Sequence, residues 1–188
     1  MENKNKQALF ISSGLSGGIS TSLVKNTKSL LENSFNILSV QFASDPDYED
    51  NNLKDYSKIT LEEIYLAFDK VIADTKPSVC VGHSFSALLI LYYLLERPNL
   101  IKNTKKIILL DPSNAKDIHS YLFSNTDGFI LDKSIVERLG PDDNLRLIQS
   151  IKDEGIEIVQ VEADNYELDH EFGDLGKLTK VYKDLSLL

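Results

Sequence analysis

A short apolar segment, a Gly-His-Ser turn and a longer apolar segment follow one another near the middle of the chain. Val79-Cys80-Val81 precedes Gly82-His83-Ser84, and Ala87-Leu88-Leu89-Ile90-Leu91 comes almost directly after it. The first segment is typical of a buried strand, and the second of a buried helix. The pattern predicts a tight strand–turn–helix unit that exposes the Ser84 hydroxyl and directs a helix N-terminus at it. Such a unit suits a serine that acts as a nucleophile in acyl transfer.

Short apolar segments and amphipathic segments alternate along the whole chain. They predict strands at about 7–11, 36–42, 78–81, 106–110 and 156–161, and helices that begin near 21, 60, 84, 142 and 175. Thr60 and Glu63 form a capping-box pattern at one helix start. Because strands this short and apolar are buried on both faces, we expect an α/β fold: a three-layer, mainly parallel sheet of about five strands with helices on both faces and right-handed crossovers.

Composition limits the class of protein further. The 188 residues suit a single domain over 1–188, and no apolar run is long enough to cross a bilayer. A net charge of −9, with 29 acidic residues, argues against nucleic acid as a partner. A polar start and one cysteine, Cys80, predict a cytoplasmic protein without an intrachain disulfide. No metal-ligand spacing is present, so we expect no metal.

The five residues from Gly82 to Ser86 resemble the G-x-S-x-G elbow of the α/β-hydrolase superfamily, in a compact member of the esterase, lipase and thioesterase kind. Ser86 replaces the last glycine, at a position that must be small because the helix packs closely on the strand. The resemblance extends from Leu9 to about His170. It implies a reduced α/β-hydrolase fold, Ser84 as nucleophile, a histidine base with an acidic partner, and no cofactor.

Three histidines are candidates for the base. His83 lies inside the elbow, a position that is often histidine in the superfamily without serving as the base. His119 lies in an irregular stretch with no strand end to hold it. His170 follows the fifth predicted strand, where the superfamily carries its base, and an aromatic residue follows closely. We therefore expect His170 to be the general base.

Two aspartates compete as the acidic partner of that base. Asp111 ends the fourth predicted strand, and Asp164 lies just past the fifth. Most members of the superfamily carry the acid at the later position, but Asp164 and His170 would then share one short loop. We favour Asp111 and keep Asp164 as the alternative. Asp169 is the least suitable because the side chains of adjacent residues usually diverge.

Two further features concern the oxyanion and the substrate. The backbone N–H groups of Leu15, in the glycine-rich loop after the first strand, and Phe85, at the start of the elbow helix, are the expected oxyanion-hole donors. A cap-like insertion around 113–140 carries Tyr121, Phe123 and Phe129. These aromatic residues either line an apolar pocket for a small acyl substrate or simply cover the sheet edge.

The sequence therefore leads to a serine hydrolase that cleaves an ester or thioester through an acyl-enzyme. Two alternatives remain open: a catalytically inactive hydrolase-like binding module, suggested by Ser86 and by the lack of a histidine near Gly14, and an acyltransferase that uses the same residues.

Overall fold

The computed structural model describes residues 6–14, 18–43, 58–113, 132–138 and 144–188. The strands within these ranges are β1 (Gln7–Ser12), β2 (Phe35–Ser39), β3 (Val79–His83), β4 (Lys106–Leu110) and β5 (Glu157–Val161). The helices are α1 (Ser22–Leu31), α2 (Leu61–Thr75), α3 (Phe85–Glu96), α4 (Pro98–Ile101), α5 (Lys133–Arg138), α6 (Asn144–Asp153) and α7 (Leu175–Asp184), and a 3₁₀ helix covers Ala163–Tyr166.

The five strands form one sheet, in the order β2-β1-β3-β4-β5, and all pairs are parallel. The predicted α/β class and the parallel five-strand sheet are confirmed. The chain passes from β1 outward to β2 and then places β3 on the other side of β1. This reversal puts a topological switch point at the carboxyl ends of β1 and β3, where open α/β sheets bind their ligands.

Alternate residues of the strands face opposite layers, as the twofold period of a strand requires. Phe10, Cys80 and Ile107 belong to one buried cluster, which includes residues of α2, α3 and α6. Neighbouring residues such as Leu9 belong to a second buried cluster, which includes residues of α1 and α7. Helices therefore cover both faces of the sheet, and the site is built on strands that are fixed from both sides.

The helix starts reflect local chemistry that the sequence predicts. Thr60 and Glu63 form the expected capping box: the Thr60 hydroxyl accepts from the Glu63 N–H at 3.2 Å, and the Glu63 carboxylate accepts from the Thr60 N–H at 2.9 Å. These two contacts satisfy backbone donors that the start of α2 would otherwise leave without a partner.

Three local predictions needed correction. The strand predicted at 36–42 ends at Ser39, although Val40 and Phe42 remain buried. The last pair in its ladder with β1 joins Ile11 to Ser39, and β1 itself ends at Ser12, so the strand loses its partner there. The stretch predicted to be irregular contains α5, and the 3₁₀ helix after β5 was not predicted. Apart from α5, the cap-like insertion around 113–140 lies almost wholly outside the described residues.

Candidate active site

The predicted strand–turn–helix unit is present, with Ser84 as the single residue between β3 and α3. Its backbone has φ 53° and ψ −124°, a conformation that costs a non-glycine residue about 1–3 kcal/mol unless its surroundings impose it. The surroundings do so here. The Ser84 N–H donates to the Leu110 carbonyl at 2.9 Å, and the Ser84 carbonyl accepts from the Ser113 N–H at 3.1 Å. Contacts with the end of β4 thus hold the turn in its strained form.

The two small residues that flank the elbow have different reasons to be small. A Cβ on Gly82 would lie 2.6 Å from the Cα of Ala87, so the helix can approach the strand only if that residue is glycine. Ser86, fully buried, is not merely tolerated in place of the second glycine. Its hydroxyl accepts from the Ser12 hydroxyl at 3.0 Å and donates to the Gly14 carbonyl. Ser86 therefore connects the start of α3 to the loop after β1.

His170 lies beside Ser84 although the two are far apart in the chain. Nε2 of His170 is 3.0 Å from the Ser84 Oγ, and Nδ1 is 3.1 Å from Oδ2 of Asp111. A carboxylate only accepts hydrogen bonds, so Nδ1 carries the proton, and in the neutral ring Nε2 is free to accept from the Ser84 hydroxyl. This tautomer is the one that a general base at Ser84 requires.

The Asp111 carboxylate is held by a second contact besides His170. Its Oδ1 accepts from the Ala163 N–H at 2.6 Å, and the backbone N–H of Asp111 donates to the Val161 carbonyl at 2.8 Å. Asp111 has a positive φ of 39°, as Ser84 has of 53°, so both residues turn sharply where their strands end. The anchored oxygen leaves the other carboxylate oxygen directed at His170.

The two other acids considered from the sequence lie elsewhere. Asp164 is exposed within the 3₁₀ helix, and the carboxylate at Nδ1 of His170 belongs to Asp111. The Asp169 carboxylate accepts from the Gly173 N–H at 3.4 Å, a contact within its own turn. The geometry thus favours the acid at the end of β4 over both alternatives.

Of the two expected oxyanion donors, Phe85 lies within the described residues and Leu15 does not. Phe85 occupies the first position of α3, where an α-helix leaves backbone N–H groups without an intrahelical acceptor and concentrates partial positive charge. Leu15 lies outside the described residues, and so do the predicted pocket residues Tyr121, Phe123 and Phe129. Gly14, which precedes Leu15, is described, and its carbonyl is the group that accepts from Ser86.

Sequence reasoning missed Ser113 as a neighbour of the nucleophile. Its Oγ lies 3.3 Å from the Ser84 Oγ, and its carbonyl accepts from the Asn144 side-chain amide at 2.8 Å. The residue follows Asp111-Pro112 at the end of β4, so its position after a strand that ends at the site was the available signal. A second hydroxyl therefore stands beside the one that His170 contacts.

His83, excluded as the base, contacts the backbone of His170. The side chain is 2% exposed, and its Nε2 lies 2.6 Å from the carbonyl oxygen of His170. Burial lowers the pKa of His83 to about 4, so its imidazole is neutral near pH 7. A neutral imidazole buried away from solvent is unsuited to exchange protons with a substrate, which agrees with its exclusion.

Other chemistries find little support among the described residues. Within those ranges, no group of three or more His, Cys, Asp or Glu side chains is arranged to hold a metal ion. Cys80 is fully buried, and burial raises the pKa of its thiol to about 12, so it is not an activated nucleophile. None of the described helices combines the length and the apolar character that crossing a membrane requires.

The chain is similar in three-dimensional structure to known proteins. No protein-family model matches the chain, and no curated protein matches it in sequence. A proline iminopeptidase-related protein from Thermus thermophilus matches with a TM-score of 0.44 and 20% identity, over 79% of this chain and 49% of that one. An uncharacterized protein from Bacillus cereus matches with a TM-score of 0.43 and 19% identity, over 99% of this chain and 62% of that one. The chain thus spans about half and about three-fifths of the lengths of these two proteins.

Proposed function

We propose that the protein is a serine hydrolase that cleaves a carboxylic ester or thioester through an acyl-enzyme. The observation that carries the proposal is the continuous contact from the Ser84 hydroxyl through His170 to the Asp111 carboxylate, at 3.0 and 3.1 Å. A serine hydroxyl is a weak nucleophile until a base takes its proton, and this arrangement supplies such a base together with a group that orients it.

The reaction begins when the Ser84 Oγ attacks the acyl carbon while its proton passes to Nε2 of His170. Asp111 stabilises the imidazolium that forms, because its carboxylate faces the protonated Nδ1. The acyl oxygen becomes an oxyanion, which accepts from the Phe85 N–H at the start of α3. Leu15 is the second donor that the resemblance to the α/β-hydrolase superfamily implies.

Collapse of this intermediate breaks the bond to the alcohol or thiol, which leaves with the proton that His170 returns to it. The acyl group then remains on Ser84 as an ester. A water molecule gives a proton to His170 and attacks the acyl carbon, and the second collapse releases the carboxylic acid and restores the Ser84 hydroxyl. His170 therefore acts in turn as base and as acid, and no cofactor takes part.

The position of the site in the fold supports the same proposal. Ser84 and Asp111 follow the carboxyl ends of β3 and β4, and His170 comes from the segment after β5. His170 is 54% exposed and Asp111 18% exposed, so the base is accessible while its partner is largely shielded. This gradient suits a base that meets a substrate from solvent and a carboxylate that orients the base from behind.

A panel of p-nitrophenyl esters and acyl thioesters of increasing chain length tests the proposal. The wild type should turn over at least one class of substrate, and Ser84→Ala should lower kcat on the order of 10⁵-fold or more. Ser150→Ala is the matched control, since Ser150 is an exposed serine on α6 whose hydroxyl donates to the Arg146 carbonyl of the same helix. If Ser84→Ala keeps the wild-type rate, the proposal is wrong.

A further inference from the structure

The segment that carries His170 has little regular structure of its own. It lies between the 3₁₀ helix and α7, outside any strand or helix. Local contacts shape it into a turn, in which the Phe172 N–H donates to the Asp169 carbonyl at 3.1 Å. These contacts fix the shape of the turn, but they do not fix its position relative to Ser84. Its position comes from contacts with the rest of the fold, among them the bond from the side-chain amide of Asn26, on α1, to the Gly173 carbonyl at 2.9 Å.

One such contact comes from the residue directly before the nucleophile. His83 ends β3, and its Nε2 lies 2.6 Å from the carbonyl oxygen of His170. A carbonyl oxygen accepts hydrogen bonds, so Nε2 of His83 carries the proton and donates it. Because His83 and Ser84 are adjacent in the chain, this bond joins the backbone of the base directly to the elbow that carries the hydroxyl.

The ring of His83 also packs against the turn. Its centroid is 4.8 Å from that of the His170 ring and 5.8 Å from that of Phe172, which is fully buried. The side chain therefore contacts the turn through one directional bond and two ring contacts. Apolar packing alone would need only a ring of this size, whereas the bond needs the N–H.

The other nitrogen of His83 indicates that the N–H is what the position requires. Nδ1 is buried and has no hydrogen-bond partner within the part of the chain that the structure describes. A buried acceptor without a partner destabilises the folded state, and an apolar ring would avoid that cost. Burial also lowers the pKa of His83 to about 4, so the ring has one N–H at neutral pH and uses it on His170.

We propose that His83 is a positioning residue for the base: its Nε2–H holds the carbonyl of His170, and thereby keeps the His170 ring within hydrogen-bond distance of the Ser84 hydroxyl. The inference rests on the proposed function, since it gives His83 a role in the reaction that Ser84 and His170 perform. His83 touches no reacting atom, and it acts through the backbone of the base. Its loss should therefore slow the chemistry without unfolding the protein.

Two variants separate the hydrogen bond from the packing. His83→Phe keeps a ring of similar size and removes the donor, whereas His83→Gln keeps an N–H that can reach the same carbonyl. With a fluorophosphonate probe, His83→Phe should be labelled about 10–100-fold more slowly than the wild type, and His83→Gln should stay within about threefold of it. Thermal unfolding of both variants shows whether each remains folded, and rescue by glutamine is a result that a purely apolar packing role does not predict.

A second readout does not depend on activity. In ¹⁵N-labelled wild-type protein, the His83 ring should show the Nε2-protonated tautomer with no titration between about pH 5 and 8. In His83→Phe, the backbone signals of residues 169–173 should shift or broaden while those of α3 stay in place. If folded His83→Phe is labelled at the wild-type rate, or those signals do not move, the positioning role is wrong and the proposed function stands. If the wild type is not labelled at all, the proposed function fails, and the signals of 169–173 still decide whether His83 positions the turn.

Discussion

Nδ1 of His170 lies 3.1 Å from Oδ2 of Asp111, across 59 positions of sequence, whereas Asp164 is exposed in the 3₁₀ helix after β5. The Ala163 N–H occupies the other oxygen of Asp111 at 2.6 Å, so the carboxylate has one oxygen left for the histidine. This arrangement fixes what an amide at position 111 would do.

Asp111→Asn should abolish most of the activity. The Ala163 N–H would keep the amide oxygen, so the amide NH₂ would face Nδ1 of His170 and favour the wrong tautomer of the ring. We expect kcat to fall about 10³–10⁴-fold while the variant stays folded. Steady-state turnover of the best substrate from the ester and thioester panel measures the loss.

Asp164→Asn is the matched control, because it makes the same chemical change at an exposed aspartate in the 3₁₀ helix after β5. Its kcat should stay within about threefold of the wild type. The opposite pattern, a mild Asp111→Asn and a severe Asp164→Asn, would reassign the acid and contradict the account of the site.

Ser86 should prove to be a structural hydrogen-bonding residue at the position where the G-x-S-x-G pattern has glycine. Its buried hydroxyl connects the Ser12 hydroxyl to the Gly14 carbonyl, so Ser86→Ala leaves both groups without that partner. We expect Ser86→Ala to lower the free energy of unfolding by about 1–3 kcal/mol in urea titrations.

The paired variant Ser12→Ala tests whether the two hydroxyls act together. Ser12→Ala and Ser86→Ala each remove the same contact. The double variant should therefore lose less unfolding free energy than the two single variants lose in sum, with a coupling energy of about 0.5–3 kcal/mol. Strict additivity of the two losses would show that the contact between these hydroxyls contributes nothing.

Gly82→Ala should damage the elbow itself. The added methyl would lie 2.6 Å from the Cα and 3.0 Å from the N of Ala87, so α3 would have to move away from β3. We expect a loss of at least about 2 kcal/mol in the free energy of unfolding, together with slower labelling of Ser84.

Gly176→Ala provides the control for that substitution. Gly176 lies in the first turn of α7, and the nearest atom to an added Cβ is Oδ1 of Asp174 at 3.4 Å. Alanine should be neutral there or stabilise the protein by up to about 1 kcal/mol, since it favours the helix more than glycine does. Equal losses at both glycines would argue against close packing as the reason for Gly82.

The buried His83 makes stability depend on pH in a defined direction. Its pKa is lowered to about 4 in the folded protein, so between that value and the ordinary pKa of about 6.5 the unfolded chain binds a proton that the folded chain does not. The stability from this group is complete above about pH 6.5 and is lost as the pH falls towards 4. Relative to His83→Gln, the wild type should lose about 2 kcal/mol of unfolding free energy between pH 7 and pH 5. Parallel pH dependence of the two proteins would mean that His83 is not buried as a neutral ring.

The sequence was sufficient for those parts of the site that follow strand ends. Ser84 and Asp111 come directly after apolar strands, and parallel strands bring their carboxyl ends to one edge, so local patterns placed both residues in the same region. The choice between Asp111 and Asp164 depends on tertiary contacts, because both residues follow strands that end at that edge. The Ala163 N–H orients Asp111, and the pairing of β4 with β5 is what brings these two residues together.

The features that sequence reasoning missed depend on tertiary contacts between distant segments. Apart from its place just after the fourth strand, nothing in the local sequence distinguishes Ser113 from other loop serines. Its contact with Ser84 exists because both residues follow neighbouring strands. Likewise, the sequence marks Ser86 as a departure from the motif, and its structural role depends on hydrogen bonds with Ser12 and Gly14 from a distant segment. The extent of β2 was overestimated because burial of Val40 and Phe42 continues after the ladder has ended.

Activation of the Ser84 hydroxyl underlies the whole proposed mechanism, and a fluorophosphonate probe detects it without knowledge of the substrate. Intact wild-type protein, Ser84→Ala and His170→Ala would be labelled near neutral pH, and the adducts would be located by peptide mass spectrometry. One adduct is expected, on Ser84, absent from Ser84→Ala and formed far more slowly in His170→Ala. No adduct on folded wild-type protein, or an adduct that persists in Ser84→Ala, would contradict it.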